Sequence, residues 1–149
     1  MPVLSFVIVS WNVKEALARN LERLLSISSP TQTEVIVVDN GSHDGTAPMM
    51  RTRFPKTAFI QNDDNRGFAY ACNQGLKLAK GEILVLLNPD MLLGKRVIEH
   101  TIETLKRRLD IGVMGVKLLK PDGTGVPSVR RDPQVLDQLA ILLKAAKLF

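Results

Sequence analysis

The chain has 149 residues, of which 45% are hydrophobic and 23% charged, a composition typical of one soluble globular domain with a core. This composition excludes collagen-like, disordered and disulfide-stabilised classes, and the single cysteine, Cys72, excludes a cysteine-rich metal site within one chain. The net charge of +5 favours anionic partners such as phosphates or an acidic membrane surface.

Short β-branched runs alternate with helical patterns along the chain. The predicted strands are apolar on both faces and cover residues 6–9, 35–38, 58–60, 83–87 and 113–116. Apolar residues at helical spacing predict helices over 13–25, 68–79 and 97–109, and capping residues 42–45 precede a further helix. Gly81 is predicted to cap the 68–79 helix, and residues 122–125 are predicted to form a hairpin turn. The alternation predicts an α/β fold with a mostly parallel sheet flanked by helices.

Polar residues collect where the first four predicted strands end. The clusters are Ser10 to Asn12, Asp39 to Gly45, Asn62 to Gly67 and Asn88 to Asp90. A turn alone explains any one of these clusters, because Asn, Asp and Gly are common turn formers. Four clusters at the carboxyl edge, with no comparable set at the opposite edge, favour a ligand site instead.

Two common nucleotide-binding motifs are missing from the sequence. No G-x-G-x-x-G follows the first strand and no G-x-x-x-x-G-K-[ST] occurs, so dinucleotide dehydrogenases and P-loop NTPases fit poorly. The two histidines, His43 and His100, are predicted to be a turn residue and a solvated helix residue. No Ser-His-Asp catalytic arrangement is therefore predicted.

Several segments together resemble family 2 glycosyltransferases of the rhamnosyltransferase-like kind. Residues 37–46 (VVDNGSHDGT) resemble the VVDN-x-S-x-DG-T signature of the family. Residues 65–81 resemble its N-x-GFA-x-A-x-N-x-G…A-x-G stretch, and residues 86–90 (LLNPD) resemble a version of its metal-binding D-x-D. Residues 112–133 continue with a similar G-x-x-G-x-x-L…DG…RR-x-P course. The resemblance implies the GT-A fold and a nucleotide-diphosphate-sugar donor.

The same resemblance implies which residues contact the donor. Asp39 would hydrogen-bond the base or ribose, and the segment from Ser10 would wrap the base. Trp11 would offer an aromatic face or pack in the core, two alternatives that the sequence leaves open. Asn65 and Asn73 share a helix face, which would direct Asn73 to the donor while Phe68 and Cys72 pack inward. The full predicted donor set is Ser10, Trp11, Asn12, Asp39, Asn40, Ser42, Asp44, Asn65, Gly67, Asn73 and Asn88.

A divalent cation, Mg²⁺ or Mn²⁺, is the predicted cofactor. The two phosphate charges of the donor need neutralising, and a hard cation bound by one or two carboxylates does this. Asp90 would be the charged ligand and Asn88 an uncharged one, in the place of the first Asp of the common motif.

The predicted enzyme is a metal-dependent, inverting glycosyltransferase that acts on a polysaccharide or lipid-linked acceptor, with dTDP-rhamnose as the donor that the resemblance implies. Inverting transfer needs a general base, and the resemblance puts that carboxylate in an acceptor-side region beyond the RR-x-P stretch. No aspartate of this chain is nominated for that role. The alternative is a non-catalytic nucleotide-sugar-binding module. We expect residues 1–133 to form the donor-binding domain and the acceptor side to be missing.

A final apolar helix is predicted over residues 134–149, and its apolar surface is wider than one domain face needs. It would pack on a missing acceptor region, pair with a second copy of the chain, lie on a membrane, or be covered by the sheet; we favour the homodimer. No nucleic-acid partner is expected, because the paired arginines lack interleaved aromatic residues. With no signal peptide visible, the protein is predicted to be cytoplasmic. The resemblance implies a peripheral location at the inner face of the membrane.

Overall fold

A computed structural model describes residues 3–29, 32–120 and 122–126. The chain divides into two compact units, Met1–Asp110 and Ile111–Phe149. The predicted helix over 134–149 and the predicted boundary at residue 133 lie outside the described residues and stay predictions. Among the described residues, no helix is both long enough and apolar enough to cross a membrane.

The first unit is a four-stranded sheet in which strands and helices alternate. The elements are β1 (Leu4–Ser10), α1 (Lys14–Ile27), β2 (Thr33–Asp39), α2 (Thr46–Arg53), β3 (Ala58–Gln61), α3 (Phe68–Leu78), β4 (Ile83–Leu86) and α4 (Lys95–Arg107). The strands pair in parallel in the order β3-β2-β1-β4. The predicted α/β architecture with a parallel sheet is confirmed. All four strand ends lie at one edge of the sheet because every pairing is parallel.

Alternate residues of the two central strands build a core on each face of the sheet. Phe6, Ile8 and Val37 face a cluster to which α1, α2 and α4 contribute. Val7 and Val38 face a smaller cluster that contains Ala71 of α3. Both central strands are buried on both faces, which explains their continuous β-branched sequences.

Two sequence predictions about apolar residues in the first unit are wrong. Phe68 was expected to pack inward but is 58% exposed, because it begins α3 beyond the strand ends while Ala71, Cys72 and Gly75 form the packed side. Leu109 was expected on the apolar face of α4, but the helix ends at Arg107 and Leu109 is exposed.

Gly81 does not cap α3, as the sequence predicted. The C-cap residue is Ala79 in an extended conformation. Gly81 lies instead against the start of β1, where an added Cβ would be 2.6 Å from the Ser5 nitrogen. A glycine is required here for close backbone approach rather than for a left-handed conformation.

The second unit contains the predicted hairpin. Strands β5 (Leu118–Leu119) and β6 (Gly125–Val126) pair antiparallel, and Gly123 between them has a φ of 82°. This prediction is confirmed. The strand predicted over 113–116 is wrong: those described residues form no strand, and Val113 is 93% exposed. A short apolar run specifies a strand only where a neighbouring strand pairs with it.

Candidate functional site

The candidate site begins at the paired ends of the two central strands. Ser10 ends β1 directly beside Asp39, which ends β2, and both residues are fully buried. The two carboxylate oxygens of Asp39 accept the hydroxyl and the backbone N–H of Ser42. The Ser10 hydroxyl has no hydrogen-bond partner among the described residues. Buried hydroxyls are ordinarily partnered, so this one is an exception in the described part of the chain.

The loop after β1 is tied to the loop after β2 through Asn12. Its backbone N–H donates to the Ser42 hydroxyl at 2.8 Å, and its side-chain oxygen accepts the His43 N–H at 2.8 Å. Asn12 has a φ of 53°, in the left-handed region that asparagine tolerates better than most residues. The conformation turns the chain out of the strand and exposes Trp11.

Asp44 joins the same two loops and precedes α2. One carboxylate oxygen accepts the Lys14 N–H at 2.8 Å, and the other accepts the N–H and hydroxyl of Thr46. Partial burial acts to raise the pKa of Asp44, but these hydrogen bonds outweigh it and hold the pKa below its ordinary value. The predicted capping segment is confirmed, with Gly45 as the N-cap residue.

Asn40 links the loop after β2 to the loop after β3. Its side-chain nitrogen donates to the Asn65 side chain at 2.7 Å and to the Gly67 carbonyl at 3.3 Å. Its side-chain oxygen accepts the Asn62 amide and the Arg66 N–H, each at 3.2 Å. A buried amide with both ends occupied holds neighbouring segments in one arrangement. Asn40 and Asn65 therefore shape the site, and Asn40 is only 2% exposed.

Two residues near the third strand end complete this network and lie outside the predicted donor set, although Asn62 begins the polar cluster predicted there. Asn62 and Gln74 exchange reciprocal side-chain hydrogen bonds of 2.8 and 2.9 Å, joining the end of β3 to α3. Gly41 allows the loops to meet: its φ is 78°, and a Cβ there would lie 2.8 Å from the Asp64 backbone. Gln74 stands at an unspecified position between Asn73 and Gly75 of the stretch over 65–81, so no sequence signal marks its contact with Asn62, 12 residues away.

Trp11 and Asn73 are predicted residues with exposed side chains, as are Asn12 and Asn65 within the network. Trp11 is 53% exposed, so the alternative that places it in the core is wrong. It follows the last residue of β1 and lies outside the buried sheet. Asn73 is exposed on α3, and no hydrogen bond within the described part of the chain involves its side chain.

The loop after β4 is a hydrogen-bonded turn from Asn88 to Met91. The Met91 N–H donates to the Asn88 carbonyl at 3.2 Å, with Pro89 and Asp90 between them. Proline is favoured at this turn position because its φ is already fixed near the required value. The side chain of Asn20, from α1, donates to the Asn88 carbonyl at 3.1 Å and to the Met91 carbonyl. The sequence does not predict a role for Asn20, because a single polar residue on an apolar helix face gives no indication of its partner.

Asp90 presents an exposed carboxylate at this turn. Within the described ranges, no hydrogen bond or ion pair involves that carboxylate, and Asn88 beside it is also exposed. The described residues contain no group of three or more His, Cys, Asp or Glu side chains placed to hold a metal ion. One free carboxylate and one amide oxygen nevertheless fit Mg²⁺ or Mn²⁺, which commonly take most of their ligands from water and phosphate oxygens.

The structure thus brings most of the predicted site residues together in groups. Asn12, Asp39 and Ser42 form one hydrogen-bonded group, and Asn40, Asn65 and Gly67 form a second. Asp44 joins the loops of the first group through the Lys14 N–H and Thr46. The Ser10 carbonyl, beside Asp39, accepts the Asn40 N–H and so connects the two groups.

Asn88 and Asp90 lie in one turn at the same sheet edge. This turn follows β4, which pairs with β1. No hydrogen bond of the described residues joins the side chains of Asn88 and Asp90, or that of Asn73, to either group.

Comparison with known proteins adds independent evidence. The model of the family described as "Glycosyl transferase family 2" matches residues 5–143. The uncharacterized glycosyltransferase YfnE of Bacillus subtilis is 36% identical over 115 residues, which cover 75% of this chain and 29% of that protein. The N-acetylglucosaminyl-diphospho-decaprenol L-rhamnosyltransferase of Mycobacterium tuberculosis is 27% identical over 146 residues, which cover 90% of this chain and 47% of that protein.

A solved structure is similar as well. The mannosyltransferase PcManGT from Pyrobaculum calidifontis, in complex with GDP-Man and Mn²⁺, superimposes with a TM-score of 0.63 at 27% identity. The likeness covers 70% of this chain and 32% of that one. The chain spans less than half the length of each of these three proteins.

Proposed function

The chain belongs to glycosyl transferase family 2 and has the GT-A fold, and on that premise we propose that it binds a nucleotide-diphosphate sugar at the carboxyl edge of its sheet. The whole protein would then transfer the sugar to an acceptor with inversion at the anomeric carbon. The observation that carries the proposal is the exposed carboxylate of Asp90, which has no partner among the described residues, at the sheet edge where Ser10 and Asp39 lie side by side.

In this proposal the two hydrogen-bonded groups bind the nucleoside end of the donor. Asp39 accepts hydrogen bonds from the base or ribose, because a carboxylate has about four acceptor positions and Ser42 occupies two. Trp11 stacks on the base, as its exposed ring allows. Asn40 and Asn65 hold the loops in place, and Asn73 approaches the donor from α3.

Asp90 and Asn88 would hold the divalent cation. When bound, that cation would neutralise charge on the departing diphosphate. Asp90 contributes the one protein charge at this turn, and Asn88 contributes an oxygen without charge. We therefore propose that cation affinity depends on the diphosphate as much as on the protein.

We propose dTDP-rhamnose as the donor and a polysaccharide or lipid-linked saccharide as the acceptor. The motifs that resemble rhamnosyltransferases and the rhamnosyltransferase among the relatives support this choice. A lipid-linked acceptor would place the protein at the inner membrane face, and the net charge of +5 favours an anionic surface. Binding to anionic liposomes that weakens with added salt would support that location, and no binding at low salt would contradict it.

Calorimetric titration with a panel of donors tests the proposed function. The panel contains dTDP-rhamnose, UDP-GlcNAc and GDP-mannose, each with Mn²⁺ and with a chelator. We expect saturable binding with Mn²⁺, strongest for dTDP-rhamnose. Stronger binding of another donor would overturn the choice of sugar, and no binding of any nucleotide sugar would overturn the proposal.

A further inference from the structure

We propose that Asn20 is a positioning residue that holds Asp90 for cation binding, an inference that rests on the proposed function. Asn20 is on α1, 70 residues before Asp90 in the sequence, and no motif points to it. Its amide is the described side chain that contacts the turn at both ends.

The contacts of Asn20 enclose the turn. Its side-chain nitrogen donates one hydrogen bond to the Asn88 carbonyl at 3.1 Å and another to the Met91 carbonyl. The Asn88 carbonyl also accepts the Met91 N–H at 3.2 Å. The first and fourth residues of the turn are therefore held by one amide group, and Pro89 fixes the backbone between them.

Burial makes this contact specific to the amide. Asn20 is 2% exposed and lies between Leu17, Leu21 and Leu24 on the packed side of α1. An apolar residue would be the ordinary choice there, because a buried polar group without partners is costly. An amide nitrogen carries two hydrogens, which suits two carbonyl acceptors. The hydrogen bonds to the turn thus account for a polar residue inside this helix face.

The position of Asp90 depends on the turn because its own side chain has no partner in the described part of the chain. A single charged ligand binds a cation well only when its carboxylate is already placed, since ordering it on binding lowers the affinity. Asn20 fixes the backbone on both sides of Asp90 from the rigid core. Loss of its two hydrogen bonds would leave the carboxylate present and charged but poorly placed.

Asn20→Leu tests the inference, because leucine fills a similar volume without donors. Asn20→Ser is the second variant, smaller and with at most one donor, for use if Asn20→Leu does not fold. Leu24→Ala is the matched control: it lowers stability from the same face of α1, and no hydrogen bond links Leu24's side chain to the turn. Two quantities are measured on folded protein: hydrogen exchange of the Met91 amide without ligand, and Mn²⁺ affinity at saturating dTDP.

We expect Asn20→Leu to speed exchange at Met91 and to weaken Mn²⁺ binding, each by about tenfold or more, with Asn20→Ser showing smaller changes in the same direction. Leu24→Ala should change neither quantity beyond its effect on global unfolding. Unchanged Met91 exchange, or unchanged Mn²⁺ affinity, in both Asn20 variants would overturn the inference while the proposed function stands. Wild-type protein whose dTDP binding ignores Mn²⁺ would overturn the proposed cation site, whatever the exchange shows.

Discussion

Asp39 accepts both the hydroxyl and the backbone N–H of Ser42 on its carboxylate, three residues further along the chain. The same Ser42 hydroxyl accepts the Asn12 N–H, so one carboxylate orders the loops after β1 and β2. Asp39 is fully buried at the end of β2, beside Ser10. Its charge therefore supports both the shape of the site and the proposed contact with the nucleoside.

Asp39→Asn should weaken nucleotide binding while the protein still folds. The amide keeps the size of the side chain but replaces an acceptor by a donor, which opposes the donors of Ser42 and of the ligand. A hydrogen bond to a charged group contributes about 1.5–3 kcal/mol, so we expect affinity to fall about tenfold or more. Calorimetric titration with dTDP measures it.

Ser42→Ala is the control for this substitution. It removes the hydroxyl from the loop contact and leaves the Asp39 carboxylate available to a ligand. We expect a smaller loss of affinity than for Asp39→Asn. Equal affinities for wild type and Asp39→Asn would show that Asp39 is only a turn residue.

Nucleotide binding should change the fluorescence of Trp11, the one tryptophan in the chain. The indole is 53% exposed, and a base stacked on it would displace water and alter both intensity and emission wavelength. Titration with dTDP should give a saturable signal with the midpoint found by calorimetry. Trp11→Phe should bind nearly as well and Trp11→Ala about tenfold more weakly. Calorimetric binding with no fluorescence change would contradict stacking.

Glu34 should make stability depend on pH in acid. Partial burial acts to raise the pKa of Glu34, but hydrogen bonds from the Ser5 hydroxyl and the Lys80 and Gly81 N–H groups outweigh it and lower the pKa. A lowered folded-state pKa adds stability above the ordinary value of 4.5, and this is lost as the pH falls through the folded-state value.

Urea unfolding of wild type and Glu34→Gln measures this contribution. We expect Glu34→Gln to be less stable at pH 7 by about 1–2 kcal/mol, with the difference shrinking as the pH falls below 4.5. Glu103→Gln, which alters an exposed helix pair with Arg107, should change stability little at either pH. A Glu34→Gln difference that does not vary with pH would contradict this account.

Gly81→Ala should destabilise the fold through overlap with β1. The added Cβ would approach the Ser5 nitrogen and hydroxyl oxygen at 2.6 Å, and backbone cannot move aside as a side chain can. We expect a loss of about 1–3 kcal/mol in urea unfolding. Gly94→Ala, with open space around the added Cβ and a φ of −90°, should lower the free energy of unfolding by only a few tenths of a kcal/mol, roughly. Similar losses for both would refute the steric explanation.

The sequence predicted the central sheet well because its signals are local. Residues 6–9 and 35–38 are apolar on both faces, and the polar residues after them mark the edge where Ser10 and Asp39 meet. The opposite edge was predicted to carry no comparable polar set, yet Ser5 and Glu34 join the Gly81 N–H there. These contacts cross 29 to 76 residues of sequence, and no local pattern marks them.

The wrong predictions concern which side chains are buried by neighbouring elements of the fold. Phe68 and Val113 have strongly apolar side chains, but none of the described elements packs over Phe68 at the start of α3 or pairs as a strand at Val113. Asn20 is the reverse case, a polar residue that the fold buries against a distant turn. Hydropathy reports the cost of exposing a side chain, whereas coverage and partners are set by tertiary contacts.

Cation dependence of nucleotide binding is the most direct measurement of the central claim, that Asp90 anchors a cation beneath a bound diphosphate. Wild type, Asp90→Ala and Asn88→Ala are titrated with dTDP in Mn²⁺ and in chelator. We expect Mn²⁺ to strengthen binding about tenfold or more in wild type, less in Asn88→Ala, and not at all in Asp90→Ala. Equal wild-type affinity in Mn²⁺ and in chelator, or a full Mn²⁺ effect in Asp90→Ala, would contradict the account.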